Sequence, residues 1–263
     1  MAVKEGVLAG LNARVAPVPA APRRMAPGPR KFASHIEALA RQSDKRRDPE
    51  KTRRMLLAAA ARFSETGSFA AMTVKDVTGA AQVSHGAFYL YFSSIEHLVA
   101  ELLSQFVDWE LRTMPSIDIH AHPFEVRLTM VRWYQLGFKA NVGLMRNMVL
   151  LSDTVPRVAE IWRRRGQEIV DRFLDYYRLK FRLAPAELSL LRIAHHAVGS
   201  MSDHSLFARY GVHGAAETSE ERDEELLIEL HAALSYRAIF GVDPPVHLLK
   251  RADGLVKLAS LLA

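Results

Sequence analysis

The chain has 263 residues, of which 49% are apolar, and its mean hydropathy is −0.03. This length suffices for one large domain or two modest ones with a buried core. No stretch reaches the roughly 18 consecutive apolar residues of a membrane span, and the first residues lack the apolar region of a secretion signal. The sequence therefore predicts a cytoplasmic protein without membrane contact. Cysteine is absent, which excludes disulfides, thiolate nucleophiles and cysteine-ligated metals.

Positive charge is concentrated at the start of the chain. Residues 1–48 carry ten basic and four acidic side chains, whereas the remainder carries 25 of each. Residues 15–30 are rich in proline and lack apolar periodicity, which is typical of a disordered segment. We predict a basic, Pro/Ala-rich disordered leader over 1–48, in which Phe32, Ile36 and Leu39 allow one short helix. The leader either binds an anionic partner such as nucleic acid or is a solvated tail without a partner.

The remainder of the sequence predicts an all-α fold. Asp48 precedes Pro49 as a helix-capping acceptor, and further capping boxes begin at Thr73 and Ser93. No alternating strand pattern flanked by hairpin turns is present. Helices are expected near 49–65, 73–80, 84–91, from 95 onward, 124–140, 142–152, 155–180, 186–209, 219–240 and 247–261.

Three of these helices predict a helix-turn-helix. The helices near 73–80 and 84–91 are separated only by Ala81, Gln82 and Val83, and the helix at 49–65 precedes them. In this motif the later helix presents its N-terminal residues to base edges in the major groove. Small residues at that end of the helix let it approach the bases closely.

Residues 52–103 resemble the N-terminal DNA-binding domain of the TetR family of transcriptional regulators. The resemblance is carried by the LLAAAARF stretch, the turn at Gly67, Met72-Thr73-Val74, the segment Val83 to Tyr89, and Tyr91-Phe92. It implies a three-helix DNA-binding domain over 49–104 and a helical dimerisation and effector-binding domain over 105–263. It further implies a homodimer on near-palindromic double-stranded operator DNA, acting as a repressor that a small hydrophobic effector releases. The alternative is a constitutive or architectural DNA-binding protein whose C-terminal body is a protein-interaction module without an effector.

The resemblance also implies the DNA contacts. His85, Gly86 and Ala87 are expected at base edges. Phosphate contacts are expected from Arg53, Arg54, Thr73, Lys75, Ser84, Tyr89 and Tyr91. The sequence departs from the family pattern at Gln82 and Leu90, and also at Ile95, where a phosphate-binding lysine is common.

The predicted DNA-binding domain carries no net charge, since residues 49–104 contain five basic and five acidic side chains. Counterion release from phosphates supplies much of the affinity for DNA, so additional charge is needed. We expect Lys45, Arg46 and Arg47 to supply it by lying along the adjacent groove.

The C-terminal body contains many large apolar side chains that are either core residues or the lining of an effector pocket. The pocket candidates are Phe106, Trp109, Trp133, Phe138, Met148, Trp162, Phe173, Tyr177 and His195. His195 shares an apolar helix stripe and is expected to face inward. The histidine pairs lack a third ligand at a familiar spacing, and no phosphate loop or catalytic motif is present, so no metal, cofactor or enzyme activity is expected. Helices 186–209 and 219–240 are expected to form the dimer interface.

Overall fold

The computed structural model describes residues 31–41, 49–210 and 223–251, and this part of the chain is helical without any strand. None of the helices within these ranges is long and apolar enough to cross a membrane. The helices are α1 (Phe32–Arg41), α2 (Pro49–Thr66), α3 (Val74–Ala81), α4 (His85–Tyr89), α5 (Ile95–Arg112), α6 (Pro123–Ala140), α7 (Val142–Ser152), α8 (Pro156–Phe181), α9 (Pro185–Tyr210) and α10 (Glu224–Phe240). Short 3-10 turns lie at Phe69–Ala71 and Val246–Leu248.

The chain packs as two units. Among the described residues, the first unit comprises 31–41, 49–113 and 136–165, and the second comprises 114–135, 166–210 and 223–251. The predicted domain boundary after residue 104 falls inside α5, which continues unbroken to Arg112. The first unit therefore includes more than the predicted DNA-binding domain, because the rest of α5 and residues 136–165 pack with it.

Helix α2 forms the centre of the first unit. Leu56, Leu57 and Ala60 are completely buried. A Cβ atom added at Gly143 of α7 would lie 2.1 Å from the backbone oxygen of Ser64, so only glycine permits this close crossing of the two helices. Two asparagines tie α7 to neighbouring segments. Asn141, just before α7, accepts a 2.8 Å hydrogen bond from the Phe32 amide, and Asn147 accepts a 2.7 Å bond from the Phe69 amide.

Helix α1 corrects the prediction of a leader disordered through residue 48. The short helix that the apolar spacing allowed is present, and Phe32 and Ile36 are nearly inaccessible to solvent. The Phe32 ring packs against Phe106 and Trp109 of α5, with ring centroids 5.6 and 5.5 Å apart. Residues 32–41 are therefore part of the core of the first unit, because an apolar face at helical spacing finds a partner there.

The second unit has an aromatic core. Val126 and Met130 of α6 pack with Phe173, Tyr176 and Tyr177 of α8. In contrast, α9 buries only His195 and Leu206 among its 26 residues.

The helix predictions agree closely with the structure. The bounds of α2 to α9 lie within two residues of those expected. Helix α10 starts at Glu224 instead of residue 219, although residues 211–222 lie outside the described ranges. Most of the last predicted helix, 247–261, also lies outside them.

Candidate nucleic-acid interface

A complete capping box begins α3. The Thr73 hydroxyl accepts from the Asp76 amide at 3.2 Å, and the Asp76 carboxylate accepts from the Thr73 amide at 2.9 Å. The Thr73 hydroxyl also donates to this carboxylate at 2.6 Å, and these bonds lower the pKa of Asp76. Reciprocal bonds of this kind satisfy two of the amides left free at a helix start. The beginning of α3 is thus fixed on the exposed side of the first unit.

The turn between α3 and α4 is built on Gln82. This residue adopts the left-handed conformation, with φ 55° and ψ 41°. Its amide donates to the carbonyls of Gly79 and Thr78, and the amide of Val83 donates to the Thr78 carbonyl at 3.0 Å. Glycine is the usual residue for this conformation, because a Cβ atom makes it strained. The chain makes the tight turn of a helix-turn-helix with glutamine at the strained position.

Phe88 sets the orientation of the short helix α4. Its ring is fully buried and lies 5.8 Å from that of Phe92. Ser84 caps the helix by accepting from the Ala87 amide at 3.2 Å. Burial of Phe88 leaves His85 and Gly86 exposed on the opposite side. The N-terminal edge of the helix is therefore presented to the outside by the burial of one side chain on the inner face.

Nothing lies within 4 Å of the position that a Cβ atom would take at Gly86. The fold therefore does not require glycine at this position. His85 and Tyr89, one turn apart, stack edge to face with ring centroids 5.6 Å apart, and Tyr89 is 55% exposed. On the outer face of α4 the backbone at Gly86 is therefore exposed, next to the rings of His85 and Tyr89. A surface of this kind suits close approach to a nucleic-acid groove.

Arg53 and Arg54, the arginines of α2 that are expected to contact phosphates, are already paired within the first unit. Arg53 forms ion pairs with Glu101 and Glu50, and its guanidinium lies 5.8 Å from the centre of the Phe92 ring. Arg54 pairs with Glu50 at 3.4 Å and donates to the Leu39 carbonyl. These interactions place both cations on carboxylates of their own unit, so they are not independent phosphate-binding charges.

The family profile described as bacterial regulatory proteins, tetR family, matches residues 56–102, from the core of α2 to the middle of α5. Over these residues the chain is similar to regulators of the TetR family. The repressor KstR2 of Mycobacterium tuberculosis is 35% identical over 106 residues, and that of Mycolicibacterium smegmatis is 30% identical over 108. The first match covers 40% of this chain and 51% of the relative, so the chain spans about half the length of the curated relatives it matches.

Solved structures of transcriptional regulators share the fold over a larger part of the chain. A TetR-family regulator from Streptomyces coelicolor gives a TM-score of 0.63 at 14% identity and covers 81% of this chain and 97% of its own. A transcriptional regulator from Rhodococcus gives 0.56 at 19% identity, covering 75% of this chain and all of its own. The all-α fold expected from the sequence is confirmed.

The structure brings most of the residues expected to contact DNA to the TetR-type helix-turn-helix. Thr73, Lys75, Ser84, His85, Gly86 and Tyr89 are exposed, whereas Ala87 and Tyr91 are half-buried. Lys75 forms no ion pair with any residue that the structure describes. Lys45, Arg46 and Arg47 lie outside the described ranges. Leu90, where the sequence departs from the TetR pattern, is not among the expected DNA contacts. It is 79% exposed at the end of α4 and belongs to the same surface.

The nine pocket candidates divide between the units. Phe106, Trp109, Phe138, Met148 and Trp162 belong to the first unit, and Trp133, Phe173, Tyr177 and His195 belong to the second. Phe138 and Met148 are completely buried core residues. The Trp162 ring lies 5.2 Å from the guanidinium of Arg165, which forms a buried bidentate ion pair with Glu110 at 2.6 and 2.7 Å.

Three of the candidates in the second unit surround a residue that sequence reasoning missed, Arg127. Its Nη2 donates to the Tyr177 hydroxyl at 2.9 Å and lies 2.8 Å from Nε2 of His195. Its guanidinium lies 4.2 Å from the centre of the Phe173 ring. We name Arg127, Phe173, Tyr177 and His195 the arginine cluster. An arginine in an amphipathic helix is ordinarily exposed to solvent, so the sequence does not predict that Arg127 is buried. Its burial results from the packing of α6, α8 and α9.

Burial and the neighbouring Arg127 lower the pKa of His195 to about 3. The imidazole is therefore neutral at physiological pH. Nδ1 lies 2.9 Å from the Leu191 carbonyl and carries the proton, whereas Nε2 accepts from Arg127. His195 is thus a satisfied inward-facing residue, as the sequence predicts, and contributes no countercharge to the arginine.

The described residues bring no three histidine, aspartate or glutamate side chains together in an arrangement that could hold a metal ion.

Proposed function

We propose that this chain is a TetR-type, sequence-specific transcriptional repressor that binds operator DNA as a homodimer and is released by a small effector. The observation that carries the proposal is the orientation of α4, in which buried Phe88 leaves His85 and Gly86 on the outer surface. A capped short helix with a bare N-terminal edge fits the major groove, and the curated relatives are named transcriptional repressors.

DNA contacts are assigned to residues of the helix-turn-helix that are fully or partly exposed. His85, Gly86 and Ala87 face base edges, and Leu90 adds an apolar contact at the end of the helix. Ser84, Thr73, Lys75, Tyr89 and Tyr91 contact phosphates, because hydroxyl and ammonium groups donate to phosphate oxygens. Arg53 and Arg54 act mainly through their ion pairs, which fix the start of α2 against α1 and α5. The remaining charge comes from Lys45, Arg46 and Arg47.

The dimer is assigned to α9. Leu190 and Ile193 are 71% and 69% exposed, and Met201 is 42% exposed on the same stripe as Ala197. This spacing of three, four and four residues is an apolar helix face of the kind that another helix covers. A second copy of the chain suits it, because a twofold operator site requires two reading helices one turn of DNA apart.

Binding to DNA fragments from the region upstream of the chain's own gene tests the proposal. The expected result is retention of one fragment with an affinity at least a thousandfold above that for unrelated DNA at physiological salt. Equal affinity for every fragment, with a steep salt dependence, would favour the architectural alternative and overturn the proposal.

A further inference from the structure

Arg127 is 3% exposed as a residue, and its guanidinium has no carboxylate partner among the described residues. Both of its hydrogen-bonding contacts involve Nη2, and both partners, Tyr177 and His195, are neutral. Nε and Nη1 donate to no atom of the described ranges. A buried cation without a countercharge is costly, and a π face with two neutral acceptors offsets only part of that cost.

Arg165 in the first unit differs from Arg127 in having a carboxylate partner. That arginine is equally buried, yet it is neutralised by the bidentate carboxylate of Glu110. At Arg127 the corresponding position for a carboxylate is not filled by any described side chain. In the second unit the guanidinium of Arg127 is therefore available for a bidentate pair with a carboxylate from outside the described residues.

We infer that the effector is an amphipathic monocarboxylate whose carboxylate pairs with Nε and Nη1 of Arg127, an inference that rests on the proposed effector-released repressor. The lining of the cluster sets the rest of the ligand. Phe173, Tyr177 and the nearby Phe181 and Phe240 are aromatic, and the Tyr177 and Phe240 rings are 5.9 Å apart. An aromatic or long aliphatic body suits these side chains.

The anion is a carboxylate and not a phosphate for reasons of charge and shape. One guanidinium neutralises one negative charge, so a phosphate dianion would carry a second charge into an apolar cluster. The planar fork of arginine matches the two oxygens of a carboxylate.

Gln135, on the same helix as Arg127, has a buried side-chain amide. It is 1% exposed, and its side-chain amide nitrogen and oxygen have no hydrogen-bond partner in the described parts of the chain. It lies eight residues beyond Arg127, which is about 12 Å along a helix axis. A carbonyl or hydroxyl group remote from the carboxylate suits this amide.

The test compares naphthylacetate with its neutral isostere naphthylacetamide by calorimetric titration of the full-length chain. We expect the wild type to bind the carboxylate at least about tenfold more tightly than the amide, as hydrogen bonds to a charged group imply. Arg127→Met removes this preference, whereas Arg192→Met, in which an exposed ion pair with Asp171 of the same unit is lost, retains it.

Equal affinity for acid and amide, no binding of either at millimolar concentration, or an unchanged preference in Arg127→Met would each overturn the inference. The comparison within the wild type needs no folded variant, and Arg127→Lys, which keeps the charge without the fork, is expected to reduce the preference partially. Operator binding is measured in parallel on the wild type. A chain that binds its operator but not the carboxylate contradicts this inference alone, whereas a chain that reads no operator contradicts the proposed function.

Discussion

At the scale of single residues, a substitution at Gly86 should change operator affinity without lowering the stability of the fold. Its Cβ position is open, so Gly86→Leu is expected to leave the free energy of unfolding unchanged or increase it by up to about 1 kcal/mol, because leucine favours helix. The added side chain would hold α4 away from the bases and reduce operator affinity by at least about tenfold. Mobility shift and urea unfolding measure the two effects.

Gly79→Leu is the matched control for this substitution. Gly79 lies on α3, is also exposed, and has the same open space around its Cβ position. It should gain a similar stability without losing operator affinity. Equal losses of affinity in both variants would show that α4 has no special role.

Gln82 is strained in its left-handed conformation, so Gln82→Gly should stabilise the chain. The relief of backbone strain exceeds the entropy that glycine adds to the unfolded chain, and we expect a net gain of about 0.5–1 kcal/mol. Ala80→Gly, two residues earlier in a regular helix, should destabilise by about 1 kcal/mol. Thermal unfolding distinguishes the two, and destabilisation of both variants would show that residue 82 carries no strain.

At the scale of elements, the apolar face of α9 should control dimerisation. Leu190→Glu and Ile193→Glu together place charge on that face and are expected to convert the chain to a monomer, with at least a hundredfold loss of operator affinity. Leu179→Glu on α8 is the control, because Leu179 is also half exposed. Sedimentation equilibrium reports the assembly, and a dimer that survives the double substitution would place the interface elsewhere.

The basic segment before α2 should supply the salt dependence of DNA binding. Replacing Lys45, Arg46 and Arg47 with glutamine should reduce the steepness of log affinity against log salt by up to about 5 for the dimer, since each phosphate contact contributes about 0.9 and both protomers lose three. Glutamine at Arg172, Arg178 and Arg192, exposed on α8 and α9, is the control. An unchanged slope in the first variant would mean that the segment does not contact DNA.

The positions of the helices could be predicted from the sequence because helix caps and apolar spacing are local features. Thr73 and Ser84 begin helices where expected, Ser94 caps α5 one residue after the expected Ser93, and the apolar spacing of Phe32 and Ile36 predicts α1. What local patterns could not give was long-range packing. Nothing near Arg127 in sequence indicates that three helices enclose it, and nothing near Arg53 indicates that Glu101 is its partner. The split of the pocket candidates between two units likewise depends on tertiary contacts.

At the scale of the whole molecule, buried histidines should make the chain acid-sensitive. The pKa of His195 falls to about 3, and burial also lowers the pKa values of His122 and His231. The unfolded chain binds these protons near pH 6.5 and the folded chain does not, so stability is lost as the pH falls below 6.5 toward 3.

For His195 alone, this loss between pH 7 and pH 5 amounts to about 2 kcal/mol. His195→Gln is expected to flatten the pH dependence of the free energy of urea unfolding by that amount. His196→Gln, at an exposed neighbouring position, should not change it. An equal slope in wild type and His195→Gln would contradict the burial of a neutral imidazole.

Footprinting of the retained upstream fragment tests whether a dimer reads a twofold DNA site through α4. We expect two protected half-sites, related by inverted symmetry and centred about one or an integral number of helical turns apart, roughly 34–36 Å per turn. Gly86→Leu should abolish both together. Protection without a repeated half-site, or protection that Gly86→Leu leaves intact, would contradict a dimer that reads its site through α4.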